Sequence, residues 1–220
     1  MPRIIERTVY AFAELSDTAK EAARESWRLQ NRDDEWWGGV FDNVVECAKC
    51  LGIEIDTHTV KLHGGKTGHM PSIYFHGFWS QGDGASFCGR YNLKPDAVEA
   101  ITAHAPKDEE LRAIAKELTK LQITARLKVS GTLKCRITTN NSNYCHSNTM
   151  NFETVYVDTE DEAPNPSDQE DKSMAALLRR FADWIYARLE AEDEYLNSDE
   201  CIDEQLTSNE YVFDEDGAMI

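Results

Sequence analysis

The acidic residues of this 220-residue chain are concentrated at one end, and this asymmetry restricts how the chain can fold. Residues 158–220 carry 20 Asp and Glu against 4 Lys and Arg, a net charge of −16, whereas residues 1–157 carry 20 against 19. A concentrated negative field repels nucleic acid and membrane surfaces and attracts basic protein patches. The composition, 41% apolar, can bury a core, and residues 1–157, whose charges nearly balance, are predicted to form it.

The acidic end divides into two parts by composition. Residues 158–172 contain seven acids, two prolines and no large apolar residue, which is typical of a solvated linker. The following segment has an apolar stripe at helical spacing, made of Met174, Leu177, Leu178, Phe181, Trp184, Ile185 and Leu189. We therefore predict a core domain at 1–157, an acidic linker at 158–172, and an acidic C-terminal helical segment at 173–220 that packs back on the core.

Periodicity within the core predicts an α+β fold, with a mainly antiparallel sheet and helices packed on one face. The predicted elements are a strand at 3–12, a helix capped by Ser16, a helix that ends at Gly52, a strand at 53–62, an aromatic hairpin at 73–91, helices after Pro95 and around 111–121, and strands near 123–137 and 150–157. Asp33, Asp34 and Glu35 suit the positive N-terminal end of the second helix.

The aromatic hairpin is the most distinctive segment. Gly82-Asp83 between two aromatic runs predicts a two-residue turn. This register places Phe78 opposite Phe87 and Tyr74 opposite Tyr91, which are stabilising cross-strand pairs.

The tip of this hairpin is a candidate binding site. Trp79, Ser80, Gln81, Asp83 and Ser86 combine an aromatic face, an amide, a carboxylate and hydroxyls, a mixture that recognises a small polar ligand or a partner loop. The alternative is that the aromatic residues belong to the core and the tip is only a turn.

Trp36 and Trp37 form a second aromatic candidate. Adjacent rings cannot both enter one helical stripe, so one of them is expected either to contact a partner or to cover the neighbouring hairpin.

Eight carboxylates lie between residues 190 and 204, and they form the third candidate: Glu190, Glu192, Asp193, Glu194, Asp199, Glu200, Asp203 and Glu204. In one continuous helix they would extend over roughly 22 Å. The spacing would be about 2.8 Å per charge, against roughly 1.7 Å for duplex DNA. This density fits a surface that mimics DNA, although an acidic helix that only keeps the protein in solution is the commoner outcome.

Neither a metal site nor an active site is predicted. Cys47, Cys50, His58 and His63 offer zinc-type ligands, but only seven residues separate Cys50 from His58, and both cysteines fit the apolar stripe of a helix. No histidine, cysteine or serine lies in a recognisable catalytic motif. We therefore expect no enzyme activity, no cofactor and no metal.

The chain shows neither a secretion signal nor an apolar run long enough to cross a bilayer, and its six cysteines are expected to be free thiols. Both observations predict a cytoplasmic protein.

Four stretches resemble a family of phage and prophage proteins that are loosely labelled antitoxins of toxin–antitoxin stability systems. The stretches are residues 10–24, 33–37, 78–84 and 209–217. The resemblance implies a mobile-element setting in the bacterial host cytosol, where small acidic proteins disarm host defences by binding them. It brings no catalytic residues.

The leading hypothesis is a non-enzymatic, phage-type binding protein that inhibits a host nucleic-acid-handling defence factor. The acidic residues would engage a basic surface of that factor, without direct binding to nucleic acid or membrane. One alternative is a protein that sequesters a small nucleotide-like ligand with Trp79, Gln81, Asp83 and Arg90. Another is an antitoxin-like partner of a toxin.

Overall fold

The computed structural model describes residues 6–30, 35–61, 65–140, 145–157 and 164–220. The fold is α+β with antiparallel sheets, as the sequence predicts. The chain divides into two compact units, a larger unit of residues 38–189 and a smaller unit of residues 1–37 and 190–220. The predicted division differs, since it placed residues 1–37 with the core.

The elements in chain order are β1 (Tyr10–Ala11), α1 (Asp17–Gln30), α2 (Gly38–Leu51), β2 (Ile53–Ile55), β3 (Thr57–Lys61), β4 (Thr67–Pro71), β5 (Ile73–His76), β6 (Gly84–Phe87), β7 (Gly89–Tyr91), α3 (Ala97–His104), α4 (Glu109–Val129), β8 (Thr132–Thr139), β9 (Met150–Val157), α5 (Asp168–Leu196), α6 (Asp199–Ser208) and β10 (Val212–Phe213). Short 3₁₀ turns precede α1 and β9. No helix in the described ranges is both long enough and apolar enough to span a membrane.

The central sheet of the larger unit has four antiparallel strands in the order β2-β7-β8-β9. Its inner face is apolar, because Leu133, Cys135 and Ile137 alternate inward along β8. Helix α4 packs on this face through buried Gln122, whose amide pairs with both backbone groups of Leu133 at 2.7 and 2.9 Å. Helix α5 adds Phe181, whose ring meets Phe87 edge-on at 5.5 Å.

Local signals at two helix ends act as predicted. Ser16 caps α1, since its hydroxyl accepts from the backbone N–H of Ala19 at 3.2 Å. Gly52 ends α2 with a φ of +82°, and a Cβ there would lie 2.3 Å from the carbonyl oxygen of Asn92. Only glycine fits this position. Asp33 and Asp34, predicted at the start of α2, lie outside the described residues, and Glu35 lies in the turn before it.

The predicted hairpin register is wrong. Strands β5 and β6 pair Ile73 with Phe87 and His76 with Gly84, so the connection is a seven-residue loop, 77–83, rather than a two-residue turn. Tyr91 belongs to β7 of the central sheet, opposite Cys135. The turn chemistry of Gly82-Asp83 is overridden because the Asp83 carboxylate organises a longer loop, described below.

Two boundaries also differ from prediction. The segment from 123 to 129, predicted as the start of a strand, continues α4, whose inward positions Gln122 and Ala125 keep helical spacing. Helix α5 begins at Asp168, so the last five residues of the predicted linker are helical. Residues 158–163 lie outside the described ranges.

A buried carboxylate explains why α5 starts inside the predicted linker. Glu170, with 6% of its side chain exposed, accepts hydrogen bonds from Lys128 Nζ (2.8 Å) and Tyr156 Oη (2.7 Å). Its other oxygen accepts from the backbone N–H (2.9 Å) and hydroxyl (2.6 Å) of Ser167. The Ser167–Glu170 pair forms one side of a capping box, and the complete set joins α4, β9 and α5.

These donors determine the charge state of Glu170. Burial by itself would raise the pKa of Glu170, but the hydrogen bonds from Lys128, Ser167 and Tyr156 outweigh burial and lower it to about 2. Burial and the neighbouring carboxylate in turn raise the pKa of Tyr156 to about 12. Glu170 is therefore an ionised anchor of the larger unit.

The smaller unit has its own core, made of Phe12, Leu15, Ala19, Ala23, Ile202, Leu206 and Phe213. Strand β1 pairs with β10, which joins residues 10–11 to residues 212–213. Gly217 has a φ of +88°, and a Cβ there would lie 2.1 Å from the carbonyl oxygen of Ala19. The last residues therefore pack directly on the backbone of α1.

Replacing the buried anchor tests its role. Glu170→Gln should lower the free energy of unfolding at pH 7 by about 2–4 kcal/mol, because Lys128 loses its counter-charge and charge-assisted hydrogen bonds become neutral. The folded-state pKa lies below the ordinary value of 4.5, so the contribution is complete above that pH and is lost as the pH falls towards about 2. Urea denaturation between pH 7 and pH 3 measures both effects.

Asp171→Asn is the matched control, since Asp171 is exposed on the same turn of α5. It should change the free energy of unfolding by less than about 0.5 kcal/mol. Equal stability of Glu170→Gln and wild type at pH 7, or a difference that does not shrink on acidification, would contradict the assignment.

Candidate functional site

The predicted acidic residues all lie in the smaller unit, where the charge is strongly concentrated. This unit carries 20 acidic against 6 basic residues, a net charge of −14, whereas the larger unit carries 20 against 17, a net charge of −3. We call the eight carboxylates from Glu190 to Glu204 the acidic surface.

The acidic surface is not one continuous helix. Helix α5 ends at Leu196 and α6 begins at Asp199, with Ser198 as its N-cap accepting from Cys201 N at 3.2 Å. The single 22 Å row of charges estimated above therefore does not form, because the chain turns at residues 197–198.

Two members of the acidic surface are used inside the unit. Arg24 of α1 donates two hydrogen bonds to Asp203, both at 2.7 Å, and approaches Asp199 at 3.6 Å. Arg28 donates to Asp199 and to the carbonyl oxygen of Asn197. The hydrogen bonds with Asp203 are the main reason that the pKa of Arg24 is raised. These pairs fasten α6 to α1, so Asp199 and Asp203 act first as structural residues.

Five other members form no ion pair with a described residue: Glu190, Glu192, Glu194, Glu200 and Glu204. Glu194, Glu200 and Glu204 are exposed, and Glu190 and Glu192 are half-buried. Asp193, the remaining member, has a contact partner. We call these five residues the unpaired glutamates.

The second candidate, the loop 77–83, is built around Asp83. This carboxylate accepts from the backbone N–H groups of Trp79 (2.8 Å) and Ser80 (2.6 Å) and lies 3.2 Å from His76 Nδ1. The bond from Ser80 is the main reason that the pKa of Asp83 is lowered. A Cβ at Gly77 would lie 2.7 Å from the same carboxylate, so glycine is required there.

Aromatic contacts hold the base of the loop on α5. Phe78 packs against Tyr186 at 5.5 Å and against Phe75 at 6.1 Å. The Tyr186 hydroxyl donates to the carbonyl oxygen of Gly77 at 3.1 Å. The loop is thus fixed at both ends, yet Trp79 is 92% exposed. An exposed tryptophan on an ordered loop is typical of a protein-binding site.

The small-ligand set predicted at the tip does not assemble. Ser80 and Gln81 are exposed on the loop, but Asp83 is occupied by the amides of its own loop. Ser86 is buried, where its hydroxyl accepts from Thr139 Oγ1 at 3.2 Å. Arg90 lies on β7 of the central sheet, six extended residues beyond Gly84, a chain length of up to roughly 20 Å. The register shift moved both residues away from the tip.

Trp36 and Trp37 lie in the turn before α2, not within the helix. Their rings meet edge-on with centroids 5.9 Å apart, and both side chains are half-buried. Both have further contact partners. These contacts do not test either of the two predicted roles, contact with a partner or cover of the hairpin, so both stay predictions.

Two of the four possible metal ligands, Cys47 and half-buried Cys50, lie about one turn apart in α2. Cys47 is buried in α2, where burial raises the pKa of its thiol to about 11. His58 stacks on Tyr74 at 5.7 Å and lies 3.3 Å from the Ser72 hydroxyl. His63 lies outside the described ranges, and the side chains within them contain no metal-binding group of three.

A third surface, on the outer face of the central sheet, was not predicted from the sequence. Lys134 and Arg136 alternate with the inward residues of β8 and therefore share the outer face of the sheet with Arg90. The alternation of Lys134, Cys135 and Arg136 indicates that the two cations share one face of a strand. The pairing of β8 with β7, which adds Arg90 to that face, could not be predicted from the sequence.

Weakening the carboxylate anchor should release the Trp79 loop. The N–H groups of Trp79 and Ser80 both donate to Oδ2 of Asp83, and in Asp83→Asn these charge-assisted hydrogen bonds become neutral, so both groups should exchange with solvent at least about tenfold faster. Hydrogen–deuterium exchange of a peptide covering the loop measures this. Gln81→Ala, an exposed change in the same loop, is the control and should leave exchange unchanged. Unaltered exchange in Asp83→Asn would mean that Asp83 does not organise the loop.

Residues 36–199, more than half of the chain, match a family described as Domain of unknown function (DUF8835). The chain belongs to this family. The matched region contains the Trp79 loop and the central sheet, and it ends at the first residue of α6. No curated protein and no solved structure matches the chain.

Proposed function

We propose that this DUF8835 protein is a non-enzymatic, phage-type binding protein that inhibits a host nucleic-acid-handling defence factor in the bacterial cytosol. Its acidic surface engages the basic groove in which that factor holds nucleic acid. The observation that carries the proposal is the set of five unpaired glutamates in a unit of net charge −14.

The charge balance of the unit favours a basic protein as the partner. A carboxylate that already forms an ion pair has little charge left for a partner. Within the acidic surface, Arg24 and Arg28 form ion pairs only with Asp199 and Asp203. The remaining negative charge attracts a cationic surface over distances of about the Debye length, roughly 10 Å at 0.1 M salt. It also repels nucleic acid, which carries the same sign of charge.

The Trp79 loop supplies a contact of a different kind. Long-range charge raises the association rate. A tryptophan that becomes buried in the interface slows dissociation and selects the partner. Trp79 is exposed on a loop that Asp83 and Tyr186 already fix, so its burial costs little conformational entropy. We infer that the loop is the specificity contact of the same binding protein.

An antitoxin-like role uses the same surfaces with a different partner. A toxin with a basic nucleic-acid-binding site would meet the acidic surface by the same chemistry. The identity of the protein that co-purifies separates the two roles, because a toxin would be encoded beside this chain and a defence factor by the host.

Neutralising the unpaired glutamates should weaken the complex. The partner is captured from host lysate, identified and purified, and its affinity is measured by calorimetry at low and high salt. Changing Glu190, Glu192, Glu194, Glu200 and Glu204 together to Gln should weaken binding at least about tenfold at low salt and remove most of the salt dependence. Free duplex DNA should compete with this protein for the basic groove of the partner and so dissociate the complex.

The control changes five acids of the larger unit to amides, namely Asp42, Glu99, Glu109, Asp171 and Asp183. It alters the net charge equally and should change affinity by less than about threefold. If both variants lost affinity equally, the effect would come from net charge and not from the acidic surface. If the variant of the unpaired glutamates bound the partner as tightly as wild type, the proposal would be wrong.

A further inference from the structure

The outer face of the central sheet carries an unusual row of charges. The strand register aligns Glu54 of β2, Arg90 of β7, Arg136 of β8 and Glu153 of β9, so the four side chains cross the sheet side by side. The helices described above pack on the opposite face, and all four of these residues are exposed.

Two arginines are direct cross-strand neighbours in this row. Arg90 and Arg136 are Cα partners, and Lys134 lies two residues before Arg136 on the same face. Like charges directly opposite each other destabilise a strand pair unless something with negative charge lies between them. Three cations together are also out of character for a chain of net charge −17.

The available acids leave this group undercompensated. Arg90 approaches Glu54 at 3.5 Å and Asp56 at 3.9 Å, on the side away from Arg136. Lys134 and Arg136 form no ion pair with any residue in the described ranges, although Glu153 lies opposite Arg136 in register. Two of the three cations therefore have their charge available.

A depression of about 260 Å³ lies over this part of the sheet. Its lining includes Arg90, Lys134, Arg136, Glu153 and Val155, and the charged side chains sum to +2. Val155, which is 42% exposed, provides an apolar side. The space suits a small group better than a macromolecule.

We propose that this depression is a binding site for the phosphate groups of a small soluble ligand, held by Arg90, Lys134 and Arg136. Arginine presents a planar fork that matches phosphate oxygens in pairs, and lysine adds a point charge. Nucleic acid is a poor occupant because the chain as a whole repels it. The site is independent of the acidic surface, so either proposal can fail alone.

Inorganic pyrophosphate is the probe. Calorimetry in a low-salt buffer free of phosphate and sulfate should show one pyrophosphate per chain. Arg136→Gln should weaken binding at least about tenfold, and Lys134→Gln should weaken it severalfold. Arg136→Lys keeps the charge but loses the fork, so its affinity should fall between wild type and Arg136→Gln.

Lys120→Gln is the matched control, because Lys120 is an exposed lysine on α4 without an ion pair among the described residues. It should bind pyrophosphate within about twofold of wild type. Circular dichroism checks the fold of each variant, and Lys134→Gln provides the same test should Arg136→Gln fail to fold.

Three results would overturn the proposal. The first is that the wild-type protein does not bind pyrophosphate. The second is that wild type, Arg136→Gln and Lys134→Gln bind it equally well. The third is that a hexaglutamate peptide binds more tightly than pyrophosphate. The last result would assign the face to an acidic protein segment instead.

Discussion

The smaller unit must keep its charges together against their mutual repulsion, and its architecture follows from that constraint. It carries 20 acidic against 6 basic residues, yet it is compact. Seven buried apolar residues supply cohesion, and Arg24 and Arg28 place positive charge at the point where α6 meets α1. The close approach of Gly217 to Ala19 then fixes the end of the chain on the same helix. This compensation is local and leaves the unpaired glutamates unneutralised.

The chain therefore presents surfaces of opposite character in its two units. The smaller unit offers carboxylates without partners, and the larger unit offers a cationic sheet face and an exposed tryptophan. Charge that folding does not require is costly to keep, because it reduces stability through self-repulsion. The chain keeps this charge in one unit and an ordered loop that exposes Trp79 in the other, and both features support the proposed binding role. Glu170 shows the contrast, since its charge is fully used by Lys128, Tyr156 and Ser167.

Features that depend on near neighbours were predictable from the sequence. The Ser16 cap, the Gly52 stop and the apolar stripe of α5 act within one or two helical turns, and the structure confirms all three. The α+β class followed from the same periodicities.

Features that depend on distant residues were not predictable. The predicted hairpin register was wrong because the Asp83 carboxylate binds backbone N–H groups of its own loop instead of forming a two-residue turn. Because of this error, Ser86 and Arg90 were assigned to the loop tip. The buried role of Glu170 depends on Lys128, which is 42 residues away. The pairing of Asp203 with Arg24 spans 179 residues, so an acidic sequence could not show which of its charges are already used.

The response of the smaller unit to salt tests its uncompensated charge most directly. Hydrogen–deuterium exchange of the β10 and Ile220 amides, whose bonds close the unit, can be followed from about 20 to about 300 mM NaCl, with β8 of the larger unit as internal reference. If the glutamates are unpaired and repel one another, salt screens the repulsion, and exchange in the smaller unit slows severalfold relative to β8. Exchange that quickens with salt would show that attractive ion pairs dominate the unit, and it would contradict the account of a free acidic surface.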